Sequence, residues 1–263
     1  AHLVKPIRLL SKGTQRLISG RYQTVIPVTS NDELGQLSKN FNSLANTLKE
    51  NEKARQQWIA DISHELSTPL AILKGEIEAM QDGIRETTPQ AIDSLHAEVE
   101  HLNNLMKDLY ELSMSDIGAL NYQKEKTDIV NVLQVTLDSF RTEFENAGLT
   151  LRFNSKLKKK PSVLADATRL RQLFSNLLKN TLRYTDREGT LEVEISAGPN
   201  EVKIQFKDSA PGVSETEIAR LFERLYRVES SRNRATGGAG LGLSVCHNII
   251  AAHDGTISAK ASP

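Results

Sequence analysis

Two sets of side chains in this sequence have the types and spacing needed for chemistry. The first centres on a histidine in Trp58-Ile59-Ala60-Asp61-Ile62-Ser63-His64-Glu65-Leu66-Ser67-Thr68-Pro69-Leu70. Ile59, Ile62, Leu66, Leu70, Leu73, Ile77, Met80 and Ile84 recur at steps of three and four, the period of an amphipathic helix. His64 stands two positions from both Ile62 and Leu66, and roughly 200° of rotation carries it to the solvent side. Asp61, Glu65, Ser67 and Thr68 share or border that face, with Thr68 one turn further on. An imidazole on the wet face, flanked by carboxylate and hydroxyl, can act as a nucleophile toward a second molecule. A core imidazole could not meet one. The other histidines, His2, His96, His101, His247 and His253, have no such neighbourhood and read as surface residues without a role.

The second set lies in the C-terminal half. Val202, Ile204, Phe206 and Asp208 fall on one face of a period-two strand, which puts Asp208 on the buried side at the strand end. A buried carboxylate needs a donor. An exocyclic amine such as that of adenine would serve, and so would the backbone of a turn before Pro211-Gly212. On a helix over 166–184, Asn176, Asn180 and Arg183 lie within about 60° of one another, beside Leu170, Leu173, Phe174 and Leu177. An amide oxygen at such a boundary can ligate Mg²⁺ and an arginine can meet phosphate, although polar pairs at this spacing are also ordinary surface. Gly237-Gly238-Ala239-Gly240-Leu241-Gly242-Leu243 precedes a helix. Its N–H groups can cradle anions, or the run is a hinge. It is not a P-loop, since no Gly-Lys-Ser/Thr follows, nor a dinucleotide fingerprint, which would need glycine at 243.

The elements that must carry these residues follow from composition and period. A chain of 263 residues has material for two or more domains. Lys plus Arg equals Asp plus Glu at 33 each, which gives no argument for a nucleic-acid partner. One cysteine, Cys246, excludes an intramolecular disulfide and reads as a small buried residue on a helix. No stretch approaches eighteen apolar residues and no signal peptide is present, so the chain as given reads as soluble. Its first residues look cut from something longer.

Leu3, Ile7, Leu10, Thr14 and Leu17 step by three and four, as do Leu34, Leu37, Phe41, Leu44 and Leu48; Gly20 to Asn31 between them reads as a loop. That loop is long enough to return to the start of the first helix, so the two helices can run parallel and pair with a second copy as a four-helix coiled coil. The histidine-bearing helix ends near Gly83. Thr88-Pro89 then opens another, with a stripe of Ile92, Leu95, Val99, Leu102, Met106 and Leu109. The two make a hairpin expected to dimerise into a four-helix bundle. The pattern stops around Ser115-Asp116-Ile117-Gly118, a candidate hinge. After residue 120, strict alternation at 191–195 and 201–207 predicts strands, and 128–147, 166–184 and 241–253 read as helices. Lys158-Lys159-Lys160-Pro161 reads as a solvated loop. This half is expected to be an α+β sandwich with helices on one face of a mixed sheet.

Asp61 to Leu70 resembles the phosphoacceptor box of two-component sensor histidine kinases, D-x-S-H-E-L-[RK]-T-P-L, departing only at Ser67. Pro6 with Asp32-Glu33-Leu34-Gly35 resembles the HAMP linker of membrane receptors. The downstream segments resemble the N, G1, F and G2 boxes of the ATP-binding domain shared with gyrase and Hsp90: Phe174 to Tyr184, Asp208-Ser209-Ala210-Pro211-Gly212 with alanine for the first glycine, Leu221 to Arg227 with leucine for a phenylalanine, and Gly237 to Gly242. The resemblance implies a HAMP linker at 1–50, a dimerisation and phosphotransfer hairpin at 51–119 and a catalytic, Bergerat-type ATP-binding domain at 120–263. It implies phosphoryl transfer from ATP to His64 and on to an aspartate of a response regulator, with Glu65 and Thr68 as further catalytic residues and Thr68 serving the reverse dephosphorylation. ATP would be bound by Asn176, Asn180, Arg183, Tyr184, Asp208, Gly212, Tyr226, Arg227, Gly238, Gly240, Leu241 and Gly242, with Mg²⁺ on Asn180. Residues 213–237, with Arg224, Arg227, Arg232 and Arg234, would form the ATP lid. The family also implies a homodimer, forming the cytoplasmic portion of a bacterial inner-membrane protein whose transmembrane helix precedes residue 1. The sequence stops soon after a strand predicted at Gly255 to Ala259, where relatives continue, so its sheet is expected to have an unpaired edge. Two alternatives fit the same residues: a gyrase/Hsp90-type ATP hydrolase, and a nucleotide-binding signalling scaffold without kinase activity, suggested by the Ser67 and Ala210 departures.

Overall fold

The computed structural model describes residues 4–116, 120–157, 161–228 and 240–261. The chain divides into two compact units, residues 1–71 and 72–263. Among the described residues no helix is long and apolar enough to cross a membrane.

In the first unit, helix α1 spans Val4–Ile18 and helix α2 begins at Glu33. Leu17, Ile26, Phe41 and Ala45 form one buried cluster, with Leu9, Leu10, Tyr22 and Leu48 packed against it. Asn42 holds the connecting loop to α2 from both sides of one residue: its Oδ1 accepts from the Ile26 N–H and its Nδ2 donates to the Ile26 carbonyl, each at 2.8 Å. Asp32 opens α2 by accepting from the Leu34 and Gly35 N–H groups at 3.1 and 3.0 Å. Residue 35 must be glycine, because a Cβ there would lie 1.8 Å from the Ser30 carbonyl oxygen.

Helix α2 runs from Glu33 to Gln81, 49 residues without a break. The periodicity placed one helix up to Leu48 and another from Ile59. The intervening Lys49-Glu50-Asn51-Glu52-Lys53-Ala54-Arg55-Gln56-Gln57 holds no glycine or proline and consists mostly of strong helix formers, so helix continues through residue 50. Pro69 sits inside α2, where its missing N–H leaves the Glu65 carbonyl without its usual helical donor.

In the second unit, helix α3 spans Pro89–Asp116, its first turn capped by Thr88 Oγ1, which accepts from the Ala91 N–H at 3.2 Å. Its buried apolar residues are Ala91, Leu105 and Leu112, one heptad series, while Ile92, Val99 and Met106 of the expected stripe stay exposed in a single chain. Then follow β1 (Glu125–Asp128), α4 (Ile129–Ala147), β2 (Thr150–Ser155), β3 (Ser162–Ala165), α5 (Ala167–Tyr184), β4 (Thr190–Ala197), β5 (Val202–Asp208), α6 (Glu215–Ile218) and α7 (Gly242–Ala252). Strands β2-β4-β5 make a mixed sheet, β2 parallel and β5 antiparallel to β4, and β1 pairs antiparallel with β3.

Leu191, Val193 and Ile195 of β4 are fully buried on the inner face, where α4 and α5 supply Leu133, Leu137, Phe174 and Leu178. The Phe174 and Phe206 rings stack at 6.2 Å between α5 and β5. The other face is polar, with Glu194 bridging Lys156 and Lys207 at 3.1 Å each. Helices α5 and α7 pack together, and α3 packs on α7. Residues 255–261 were expected to include a strand and do not: a strand exists only within a ladder, and this segment joins none among the described residues. The tri-lysine loop and residues 117–119 of the candidate hinge lie outside the described residues.

Candidate functional site

His64 is exposed on α2, with Glu65 and Thr68 half-buried beside it. Three hydroxyls on this stretch donate back one turn: Ser63 to Ile59 at 2.8 Å, Ser67 to Ser63 at 2.7 Å and Thr68 to the His64 carbonyl at 3.2 Å. Ile62 and Leu66 are half-buried, and Ile59 and Leu70 are exposed, in the single chain. The imidazole is therefore open to a second molecule, on a helix whose apolar stripe still offers surface for a partner.

The second site is assembled on α5. Its N-cap, Asp166, accepts from the N–H groups of Thr168 and Arg169, and its other oxygen from Gln123 at 3.0 Å. Burial works to raise the Asp166 carboxyl, but the N–H groups of Arg169, Gln123 and Thr168 and the Arg169 charge outweigh it and hold the carboxyl below its ordinary value. Further along α5, Asn176 Nδ2 donates to the Gly242 carbonyl at 3.4 Å, joining the helix to the glycine turn. Five residues on, the buried Thr181 hydroxyl donates to Asp208 Oδ2 at 3.4 Å, joining the helix to the end of β5. The Asn180 side chain lies half-buried between these two ties, its amide without a hydrogen-bond partner among the described residues.

The glycine turn is locked to the segment before it. Gly240 has φ +68°, and a Cβ there would lie 2.8 Å from the Tyr226 carbonyl oxygen and 2.9 Å from the Leu225 carbonyl carbon. Its own carbonyl accepts from the Leu225 N–H at 3.1 Å. The N-cap of α7, Leu241, is buried and gives no side-chain cap, so the first N–H groups of the helix remain available to an anion. The Arg220 guanidinium covers the Tyr226 ring at 4.2 Å.

The geometry thus gathers Asn176, Asn180, Asp208, Gly240, Leu241 and Gly242, with Tyr226 adjoining. Arg183 and Gly212 are exposed, and Tyr184 and Arg227 are half-buried. Gly238, with Gly237, Arg232 and Arg234, lies outside the described residues. Two residues that the sequence did not single out take part. Thr181, one position past Asn180, is the donor to Asp208. His253, read above as idle, joins α7 to the α5 N-cap: Nε2 accepts from the Asp166 N–H at 3.0 Å and Nδ1 faces the Ile249 carbonyl at 2.7 Å. Cys246 is fully buried, its Sγ–H directed to the Leu173 carbonyl at 3.6 Å, and burial pushes the thiol up to about 12. Helix α3 reaches the same helix, where Glu111 pairs with Arg169 at 2.8 Å and accepts from Gln172.

The donor set fits a magnesium nucleotide. An uncapped helix start and a left-handed glycine suit a polyphosphate, a half-buried carboxylate suits an amine, and one free amide suits Mg²⁺, which takes its remaining ligands from phosphate and water. An exposed helical histidine, with such a site in the same chain, defines the histidine kinase class.

Comparison with known proteins agrees. Residues 1–50 match the HAMP domain, 54–118 the His Kinase A (phospho-acceptor) domain, and 165–263 the histidine kinase-, DNA gyrase B- and HSP90-like ATPase. The chain belongs to the sensor histidine kinase family. It is 50% identical over 261 residues to the signal transduction histidine-protein kinase BaeS of Escherichia coli, covering 99% of this chain and 56% of that one. The sensor histidine kinase YkoH of Bacillus subtilis is 32% identical over 270 residues, covering 99% of this chain and 57% of that one. The chain thus spans little more than half the length of these relatives. Among solved structures, the Acinetobacter baumannii histidine kinase AdeS superposes with a TM-score of 0.61 at 28% identity, covering 72% of this chain and 86% of that one. The histidine kinase ThkA, solved in complex with the response regulator protein TrrA, shares the fold at a TM-score of 0.62 and 20% identity, over 79% of this chain and 57% of that one.

Proposed function

We propose that this chain transfers the γ-phosphoryl group of ATP to an imidazole nitrogen of His64, and from there to an aspartate of a response regulator. The observation that supports the reading is the pair of ties on α5, Asn176 to Gly242 and Thr181 to Asp208, with Asn180 between an uncapped helix start and a half-buried carboxylate. Asp208 reads the adenine amine and the Gly240–Gly242 turn with the α7 N–H groups receives phosphate, aided by Arg183 and Arg227. Asn180 holds Mg²⁺, whose charge offsets that of the phosphates. Glu65 follows His64 on α2; it orients the ring and takes the proton from one nitrogen, which leaves the other nucleophilic.

The exposed apolar positions of α2 and α3, among them Ile59, Leu70, Ile92, Val99 and Met106, favour a homodimer that covers them as a four-helix bundle. In this reading the domains divide at 1–50, 51–119 and 120–263, and a membrane helix precedes residue 1 in the whole protein, leaving this portion in the cytoplasm. Thr68, one turn from His64, positions the water that hydrolyses the regulator's acyl phosphate. The decisive experiment is incubation with γ-labelled ATP: acid-labile, base-stable label on the parent and none on His64→Gln supports the transfer. Release of inorganic phosphate without protein label would mean a hydrolase instead.

A further inference from the structure

Helices α5 and α7 are joined at three points in antiparallel order: Asp166 to His253, Leu173 to Cys246 and Asn176 to Gly242. The two ties nearer the nucleotide are weak, a thiol contact at 3.6 Å and an amide contact at 3.4 Å. The strongest is the most remote, at 3.0 Å. Its chemistry is specific. The Asp166 N–H can only donate, so His253 Nε2 must be the acceptor, and the proton must sit on Nδ1, where it is donated to the Ile249 carbonyl. One neutral tautomer satisfies both bonds. The Tyr122 ring packs edge-on against the imidazole at 5.5 Å, and the next residue, Asp254, pairs with Lys124 at 3.5 Å.

From these contacts we infer that His253 is a positioning residue for the nucleotide site, fixing the register of α5 against α7 from the end opposite the ligand. The inference rests on the ATP-site reading above. Ten residues of α5 and eleven of α7 separate the His253 tie from the Asn176–Gly242 tie, about 15 Å and 16.5 Å of helix, so the two act as matched struts. A slip of one residue moves Asn176 and Asn180 by about 1.5 Å along the glycine turn, enough to misplace an amide from a phosphate or its cation. The bond also satisfies the one N–H of the N-cap residue that the α5 cap itself cannot serve.

Two isosteric variants of the full chain separate positioning from bulk stability. His253→Gln puts an acceptor at the place of Nε2 and keeps the Asp166 bond, whereas His253→Asn keeps a donor at the place of Nδ1 and cannot reach Asp166. Mg·ATP affinity is read by calorimetry and melting temperature beside it. His253→Gln is expected to bind like the parent and His253→Asn about tenfold more weakly, the scale of one lost hydrogen bond, at a temperature where both variants are fully folded. Equal affinities for both variants, or losses that only follow melting temperature, would overturn the inference. A parent chain that binds no Mg·ATP would remove the site reading and this inference with it. A long-range ¹H–¹⁵N spectrum tests the geometry without nucleotide: the proton belongs on Nδ1 of His253, and a proton on Nε2 would contradict the contact directly.

Discussion

The Thr68 hydroxyl donates to the main-chain carbonyl of His64, 3.2 Å away and one helical turn back. The bond is long, half-open to water and made to a carbonyl of the helix's own ladder, so it adds little to stability. Alanine is also the better helix former.

For Thr68→Ala the expectation is therefore a dimer with an unchanged melting temperature that still phosphorylates itself and no longer accelerates dephosphorylation of the regulator. Parallel loss of both activities with a lowered melting temperature would assign Thr68 to helix structure instead.

The two chemical sites should fail independently. His64→Gln should incorporate no label while binding Mg·ATP as the parent does. Asn180→Asp places a charge beside the triphosphate and Asp208→Asn removes the adenine acceptor, and each should weaken binding by about 1–3 kcal/mol. Calorimetry of all three variants checks this, and unchanged affinity in both site variants would place the pocket elsewhere.

Gly240 and Gly242 should respond differently to alanine. At 240 a Cβ meets the Tyr226 and Leu225 backbones and φ is +68°; at 242 its nearest neighbour among the described residues is the Asn176 side chain at 3.9 Å. Gly240→Ala should cost about 1–3 kcal/mol in local strain and lose Mg·ATP affinity, while Gly242→Ala keeps its fold. Equal melting temperatures and affinities for the two variants would contradict the lock between Gly240 and Leu225-Tyr226.

Acid should reveal Asp108 on α3. Burial, and then the Glu111 carboxylate, raise its carboxyl above the ordinary 3.8, against the opposing charges of Lys179 and Lys107. A group whose folded value is raised binds more protons when folded, so its charged form costs stability above that range and the cost vanishes below 3.8. Asp108→Asn should raise the melting temperature at pH 7 and leave it unchanged near pH 3. A variant less stable at pH 7 would show that the Lys179 attraction prevails.

The long helices of the ATPase half were legible because their apolar period is sustained: residues 128–147, 166–184 and 241–253 were expected and α4, α5 and α7 cover nearly the same spans. Strands β4 and β5 were legible from strict alternation. In β1 and β3 only Thr127 and Ala165 are buried, which gives no period to read. Strand β2 does alternate, with Leu151 and Phe153 set against Arg152 and Asn154, but its parallel pairing with β4 is a tertiary fact. The residues of the candidate site were visible as types at spacings; their ties were not. Thr181 acquires its role from Asp208, 27 positions away, and His253 from Asp166, 87 positions away. No local pattern marks either.

Cys246 gives the molecule its own clock. It is the one cysteine of the chain and lies fully buried in the α5–α7 seam, and its thiol, pushed up to about 12, offers almost no thiolate at neutral pH. A thiol reagent can therefore react only in the moments when the seam parts. Its labelling rate counts those openings at the helix pair that carries the proposed nucleotide site, with no engineered probe, and a bound nucleotide that braces the seam should slow the count in proportion to its occupancy.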